Sequence, residues 1–117
     1  MKPEAAIQRC ITDWLTAMRS KGVWWRRMNS GAVTATHNGK SRMVRYGSPG
    51  MADIFCTYQE TGSGYDMAIP VWIEVKAPKG KQSDLQMEFE SEVEASGHLY
   101  LVARSLDDVI DFFAGRL

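Results

Sequence analysis

The stretch Pro70-Val71-Trp72-Ile73-Glu74-Val75-Lys76 decides the fold of this 117-residue chain. It is rich in β-branched and aromatic residues, which favour strands, and Ala77-Pro78 is expected to end it because proline cannot donate to a sheet ladder. Side chains alternate between the two faces of a strand, so Trp72, Glu74 and Lys76 share one face and aliphatic residues occupy the other. The strand therefore combines a core-forming face with two opposite charges.

Upstream of this strand, the sequence predicts one helix followed by short strands and turns. Apolar residues recur every three or four positions from Glu4 to about Lys21, the pattern of an amphipathic helix, and Gly22 is expected to end it. Asn38-Gly39 is typical of a two-residue hairpin turn, and Ser48-Pro49-Gly50 of a second turn. The remaining predicted elements are a strand over 23–28, a turn at 29–31, a hairpin over 32–46, a strand over 53–58 and a Gly/Ser-rich loop at 61–64.

Downstream of the strand, Ser83 and Gln86 have the spacing of a capping box, so a helix is expected to begin there. Leu85, Phe89 and Val93 would form its inward face. The other predicted elements are the end of that helix at Ser96-Gly97, a buried strand over 98–103 and a last helix from Ser105 to Phe113. This order predicts an α/β fold with a mixed central β-sheet flanked by α-helices.

Length and composition favour one soluble globular domain over residues 1–117: 44% of the residues are hydrophobic, 24% are charged, and the mean hydropathy is −0.29. No apolar run approaches the roughly 20 residues that a membrane span needs. Glu4 stands where a secretory signal would become apolar. Cys10 and Cys56 are too few for a disulfide framework, which indicates free thiols and a cytoplasmic protein.

The formal net charge is zero, but the charges are divided along the sequence. Residues 1–50 hold nine bases and two acids, whereas residues 51–117 hold five bases and twelve acids. This division suggests a basic face that could follow a phosphate backbone. The alternative is that folding mixes the two signs over the surface.

Asp53 and Glu74 are the candidate metal ligands. Antiparallel pairing of residues 53–58 with 71–76 would bring the two carboxylates together, and two hard oxygen donors suit Mg²⁺ or Mn²⁺. Lys76 lies about 6.5–7 Å along the strand from Glu74 and can reach the same ion or phosphate. Taken singly, Glu74-x-Lys76 also fits an exposed cross-strand ion pair, and Asp53 also fits a turn residue.

Several short motifs, taken in their order, resemble a known family. They are Glu4-x-x-Ile7-Gln8, Val23-Trp24, Arg27-x-Asn29-Ser30-Gly31, Gly50-x-x-Asp53, Glu74-x-Lys76, Ser83-x-x-Gln86 and the segment from Gly97 to Val102. The chain resembles the stand-alone, phage-type VRR-NUC domain of the PD-(D/E)XK nuclease superfamily. The resemblance implies a restriction-endonuclease-like core with the order α-β-β-β-α-β. Ala52 replaces the proline that usually precedes the family's aspartate, and Pro49-Gly50 can make the same turn.

The resemblance also implies roles for individual residues. Asp53 and Glu74 would ligate Mg²⁺ or Mn²⁺ together with the backbone carbonyl of Val75, and Lys76 would position or activate the attacking water. Glu4 would support the metal from the first helix. From the residues alone, Glu4 at a helix start is favourable with the helix macrodipole whatever its function, and this role is the more economical one.

Gln86 would orient the site, according to the same resemblance. The capping box offers another use for this side chain. His37 and His98 lack ligand spacing, so a histidine metal site is not expected. A Walker-type phosphate loop is also missing from the sequence, and ATP use is therefore not expected.

Basic residues interleaved with aromatic ones suggest a nucleic-acid surface in the first half of the chain, and two lysines follow the decisive strand. The expected phosphate contacts are Arg26, Arg27, Lys40, Arg42, Arg45, Lys79 and Lys81.

These observations lead to the expectation of a metal-dependent deoxyribonuclease. Because the chain has no second domain to read bases, selectivity for branched or junction DNA is expected rather than sequence specificity. A homodimer with two active sites, acting in a bacterial host cell as a phage or prophage protein, fits the resemblance. The alternatives are a catalytically inactive DNA-binding or assembly module of the same fold and a small-molecule phosphodiesterase, which would need a deep apolar pocket.

Overall fold

A computed structural model describes residues 3–28, 31–62 and 64–117. Asn29, Ser30 and Ser63, which fall in a predicted turn and a predicted loop, lie outside these ranges. No helix within them is long and apolar enough to cross a bilayer. The elements are α1 (Pro3–Ala17), β1 (Trp24–Arg27), β2 (Gly31–His37), β3 (Lys40–Tyr46), β4 (Ile54–Gly62), β5 (Tyr65–Val75), α2 (Asp84–Ala95), β6 (Leu99–Ala103) and α3 (Leu106–Phe113).

The central sheet has four strands in the order β1-β4-β5-β6. β4 is antiparallel to both β1 and β5, while β6 runs parallel to β5 after the crossover through α2. The predicted α/β fold with a mixed sheet is thus confirmed. Ile54 pairs with Ile73, so the predicted antiparallel pairing of the two site strands is also confirmed.

One face of the sheet forms the main hydrophobic core. Val71, Ile73 and Val75 of β5 point into it, as strand alternation predicts, and are at most 3% exposed. Ile11 of α1 and Val109 of α3 cover this face and are fully buried. Burial of each large aliphatic side chain contributes roughly 1.5–3 kcal/mol, so this layer fixes where β5 lies.

The opposite face of the sheet is aromatic and lies beneath α2. The Trp72 ring is 4.6 Å from that of Phe55 and 4.9 Å from that of Phe89, measured between centroids. Trp72 Nε1 donates a 2.9 Å hydrogen bond to Nδ1 of His98. Since Trp72 and Glu74 share a face, this aromatic layer lies beside the candidate site.

The β4–β5 hairpin is longer than the sequence predicts. Pairing continues to Gly62 and Tyr65, so residues 61 and 62 are strand rather than loop, and β5 begins five residues before Pro70. Residues 60–62 and 66–68 are exposed on both faces, which hides this part of the pairing from an alternation pattern. Pro70 fits because β6 joins β5 only from Val71 onward, so its missing N–H lies at a locally unpaired edge.

The helix boundaries largely follow the prediction. The first helix ends as a 3-10 turn over Met18–Lys21, and Gly22 stops it with φ 90°. The Ser83 capping box and the Ser105 cap are both present. Leu85 was expected to face inward and is instead 51% exposed, since the first turn of α2 packs through its backbone rather than through this side chain.

Candidate metal and active site

Asp53 and Glu74 meet at one end of the central hairpin, as the sequence predicts. Asp53 immediately precedes β4, Glu74 is the penultimate residue of β5, and the two carboxyl groups lie close enough to interact. Oδ2 of Asp53 also accepts a 2.7 Å hydrogen bond from the backbone N–H of Val75. The pairing register therefore holds both carboxyl groups together.

Glu74 is buried, with only 2% of its surface exposed. Burial, the hydrogen bond that the protonated Glu74 carboxyl donates to Asp53 and the charge of Asp53 raise the pKa of Glu74 to about 9, and the charge of Glu4 acts in the same direction. The positive charge of Lys76 acts against them. The Glu74 carboxyl, desolvated next to a second carboxyl group, ionises with difficulty unless a positive charge joins the two groups.

The remaining oxygen of Glu74 gives an independent indication. Oε1 is buried and has no hydrogen-bond partner among the described residues. Buried polar atoms are almost always satisfied, and an exception needs an explanation such as a missing ion. This acceptor, next to a second carboxyl group, fits a divalent cation held by Asp53 and Glu74.

An exposed cross-strand ion pair does not describe Glu74-x-Lys76. Glu74 is buried, and Lys76 is partly buried at the end of β5, where its backbone N–H donates to the carbonyl of Ala103. The alternative interpretation as an exposed ion pair is therefore wrong, because the Glu74 carboxyl is buried.

Glu4 reaches the same end of β5 from the first turn of α1. Its Oε1 lies 3.4 Å from the backbone nitrogen of Ala77, at the long limit of a hydrogen bond, and its charge is close enough to raise the pKa of Glu74. The structure thus brings Glu4 to the candidate site while leaving it at the helix N-terminus, where the macrodipole also favours it.

Gln86 acts as the helix cap. Its Oε1 accepts from the backbone N–H of Ser83 at 2.8 Å, and the Ser83 hydroxyl accepts from the Gln86 N–H at 3.2 Å. The side-chain oxygen is engaged here, so the role of Gln86 in orienting the site stays a prediction.

Gly50 explains how the loop before Asp53 reaches this helix. Its φ is +80°, and a Cβ built on it would lie 2.4 Å from the carbonyl oxygen of Leu85 and 2.9 Å from the nitrogen of Gln86. Only glycine permits that approach and conformation together. The sequence motif Gly50-x-x-Asp53 therefore has a direct structural cause.

Sequence reasoning missed Tyr100. It lies opposite Trp72 on β6, and its hydroxyl accepts a 3.2 Å hydrogen bond from Gln82, which also binds Glu90. Burial chiefly raises the pKa of Tyr100, and the carboxylates of Glu74 and Asp53 contribute. Alternation along residues 98–103 places Tyr100 on the face of Glu74 and could have revealed it.

The set of acidic ligands is small. Within residues 3–28, 31–62 and 64–117, no group of three or more His, Cys, Asp and Glu side chains has a metal-binding arrangement. Asp53 and Glu74 would therefore be the side-chain donors, with backbone and water completing the shell. Mg²⁺ commonly binds through one or two carboxylates and keeps several waters, so this donor set fits it.

The predicted phosphate contacts lie on several elements, of which β1 is the one next to the site. Arg27 pairs with Ile54 beside Asp53, and its neighbour Arg26 has its guanidinium 4.7 Å from the centroid of the Trp24 ring. Arg45 belongs to β3, but its side chain lies outside the described residues. The exposed members of the set are Arg26, Arg27, Lys40, Arg42, Lys79 and Lys81.

Comparison of the chain with protein families, curated proteins and solved structures finds no match. The function of the chain is therefore inferred from its residues and their geometry.

Proposed function

We propose that this chain is a metal-dependent nuclease that hydrolyses DNA phosphodiester bonds, with a restriction-endonuclease-like core of the VRR-NUC type. The observation that carries the proposal is the buried Glu74 carboxyl, which lies next to Asp53, is followed by Lys76 on the same strand face, and has one oxygen without a hydrogen-bond partner in the part of the chain that the structure describes. Strongly perturbed carboxyl groups next to a charged partner are typical of functional sites.

The residues divide the chemical work by position. Asp53, Glu74 and the Val75 carbonyl would hold Mg²⁺ or Mn²⁺, which when bound supplies a positive charge for the phosphate and lowers the pKa of a water. The Lys76 ammonium would stabilise the negative charge that develops on the phosphate and orient the attacking water. Glu4 would accept a hydrogen bond at the edge of this shell.

The proposed substrate, DNA, is supported by the positive charges on the protein surface. Exposed arginines and lysines provide phosphate contacts, which position DNA without reading its sequence. We therefore propose selectivity for branched or junction DNA rather than for a base sequence. In keeping with the resemblance, the protein is proposed to be a homodimer with two active sites, encoded by a phage or prophage and acting in the cytoplasm of a bacterial host cell. A catalytically inactive DNA-binding module is the second candidate, favoured by the small set of acidic ligands among the described residues.

Cleavage assays separate these two candidates. The purified protein is incubated with linear, flapped and four-way-junction DNA in Mg²⁺ or Mn²⁺, beside Asp53→Ala and Lys76→Ala, with the exposed Lys21→Ala as the matched lysine control. The nuclease proposal requires cutting by the wild type and by the control, and its loss in both site variants. Binding without cutting in either metal supports the inactive module, and cutting that persists in both site variants overturns the site assignment.

A further inference from the structure

The β2–β3 hairpin stands apart from the rest of the fold. Its strands form a separate two-stranded sheet, and no other described element packs extensively against either strand. The molecule measures 59 × 34 × 27 Å, with a radius of gyration of 16.5 Å against about 13 Å for a compact chain of this length. An isolated two-stranded hairpin is marginally stable in water, which points to a bound partner.

The charge of the hairpin indicates what that partner is. Residues 31–46 contain Lys40, Arg42 and Arg45 and no acidic residue, whereas α2 contains five acidic residues and no basic one. These two elements therefore carry opposite charge. A polyanion suits the hairpin and is repelled by α2.

The register places the described charges together on one face. His37 pairs with Lys40 across the Asn38-Gly39 turn, and Ala35 pairs with Arg42, so these side chains share a face of the ribbon. The other face carries Thr36 and Ser41, whose hydroxyl oxygens are 3.2 Å apart. Both faces offer exposed hydrogen-bonding groups near the tip.

The hairpin also begins and ends close to the candidate site. The backbone N–H of Met28 donates a 2.7 Å hydrogen bond to the carbonyl of Asp53. Gly31, where β2 begins, is three residues from Met28 and hence at most about 11 Å away. After β3, Gly47 is six residues before Asp53. A ligand held along the hairpin therefore leads toward the Asp53 and Glu74 carboxyl groups.

We infer that the β2–β3 hairpin is a DNA-binding ribbon that lies in the major groove of duplex DNA and directs the phosphate backbone to the Asp53–Glu74 site. The major groove, about 12 Å wide, admits a two-stranded β-ribbon. Seven residues per strand give this ribbon a length of roughly 23 Å. The inference rests on the proposed function only in taking DNA as the substrate.

A binding assay without cleavage tests it. Anisotropy of a labelled 30-base-pair duplex is measured in EDTA over a series of salt concentrations for the wild type, Lys40→Glu and Arg42→Glu. The control is Lys21→Glu, which makes the same charge change at an exposed lysine. Lys21 lies before β1, whereas the hairpin follows β1. Each hairpin variant should weaken binding roughly tenfold and reduce the slope of log affinity against log salt by about 1, while the control changes little.

Two further measurements identify the groove and the rival partner. The wild type should protect guanine N7, which lies in the major groove, from dimethyl sulfate, and the hairpin variants should lose that protection. Unchanged binding in both variants, or binding without N7 protection, overturns the ribbon. So does a dimeric wild type whose hairpin variants sediment as monomers, since Met43, 65% exposed, would then belong to an interface between two copies.

The outcomes for the ribbon and for the nuclease are distinguishable. Hairpin-dependent binding by a protein that cuts nothing in Mg²⁺ or Mn²⁺ rejects the nuclease and keeps the ribbon. Metal-dependent cutting by a protein whose DNA binding does not depend on the hairpin rejects the ribbon and keeps the nuclease.

Discussion

The backbone N–H of Val75 donates to Oδ2 of Asp53 at 2.7 Å, which fixes one carboxylate of the site against the strand that carries the other. The bond joins residues 22 positions apart in sequence, across the end of the β4–β5 ladder. Asp53 is therefore oriented by the sheet itself rather than by its loop. The Glu74 carboxyl, buried beside it, has one oxygen to which no residue within 3–28, 31–62 and 64–117 donates a hydrogen bond.

The first prediction concerns the stability of the metal-free protein. The pKa of Glu74 is raised from 4.5 to about 9 on folding, so the folded chain binds more protons than the unfolded chain between these values. The contribution of this group to stability is full below pH 4.5 and is lost as the pH rises toward 9. Glu74→Gln removes this dependence and should stabilise the protein at pH 8 in EDTA by about 1–3 kcal/mol.

Urea unfolding at pH 5 and pH 8 checks this, with the exposed Glu94→Gln as the matched control. Adding Mg²⁺ at pH 8 should raise the stability of the wild type and leave Glu74→Gln unchanged, because ligands stabilise the folded state that binds them. A wild type that is equally stable at both pH values and indifferent to Mg²⁺ would contradict both the burial of an ionisable Glu74 and its proposed ligand role.

The second prediction separates metal binding from catalysis. Lys76→Ala should keep the Mg²⁺-induced stabilisation because both carboxylates remain, yet lose about 10²–10³-fold in cleavage rate with the stabilising charge. Asp53→Ala should lose both properties. Thermal unfolding with and without Mg²⁺, run beside a cleavage time course, measures the two effects. Equal loss of metal response in Lys76→Ala would place this lysine in the structure of the metal site.

Much of the site could be predicted because strand alternation is a strict rule. It places Glu74 opposite the aliphatic face of β5, and the predicted antiparallel pairing of 53–58 with 71–76 brings Asp53 beside it. The burial of Glu74 could not be predicted, since alternation gives the side of a sheet and not what covers it. The aromatic layer between the sheet and α2 buries that face.

The parts of the fold that escaped prediction have related causes. Residues 60–62 and 66–68 are exposed on both faces, so their pairing leaves no alternation in hydrophobicity. Leu85 has the spacing of an inward residue. Gly50, however, packs against the backbone of α2 at Leu85, so the backbone rather than the Leu85 side chain makes the contact there. Both depend on contacts distant in sequence, which local patterns do not record.

The third prediction tests that approach. Gly50→Ala should destabilise the protein by about 1–3 kcal/mol more than Gly64→Ala, because both glycines have positive φ but only Gly50 has backbone within 3 Å of the added methyl group. Urea unfolding measures the difference, and the Gly64 variant isolates the effect of backbone conformation. Since the loop also carries Asp53, Gly50→Ala should reduce DNA cleavage as well. Equal destabilisation by both substitutions would show that the loop can move away from α2 without a further loss of stability.

The last prediction uses the two thiols as reporters of folding. Cys10 is exposed on α1, whereas Cys56 is buried in the core and burial raises its pKa to about 12. A thiolate is the reactive species, so an aromatic disulfide reagent at pH 8 should modify one thiol per chain rapidly and the second only on unfolding. Cys10→Ser should abolish the fast phase, and the slow phase should accelerate with urea in parallel with loss of secondary structure. Two fast thiols in the native protein would mean that β4 opens locally, and with it the strand that begins at Asp53.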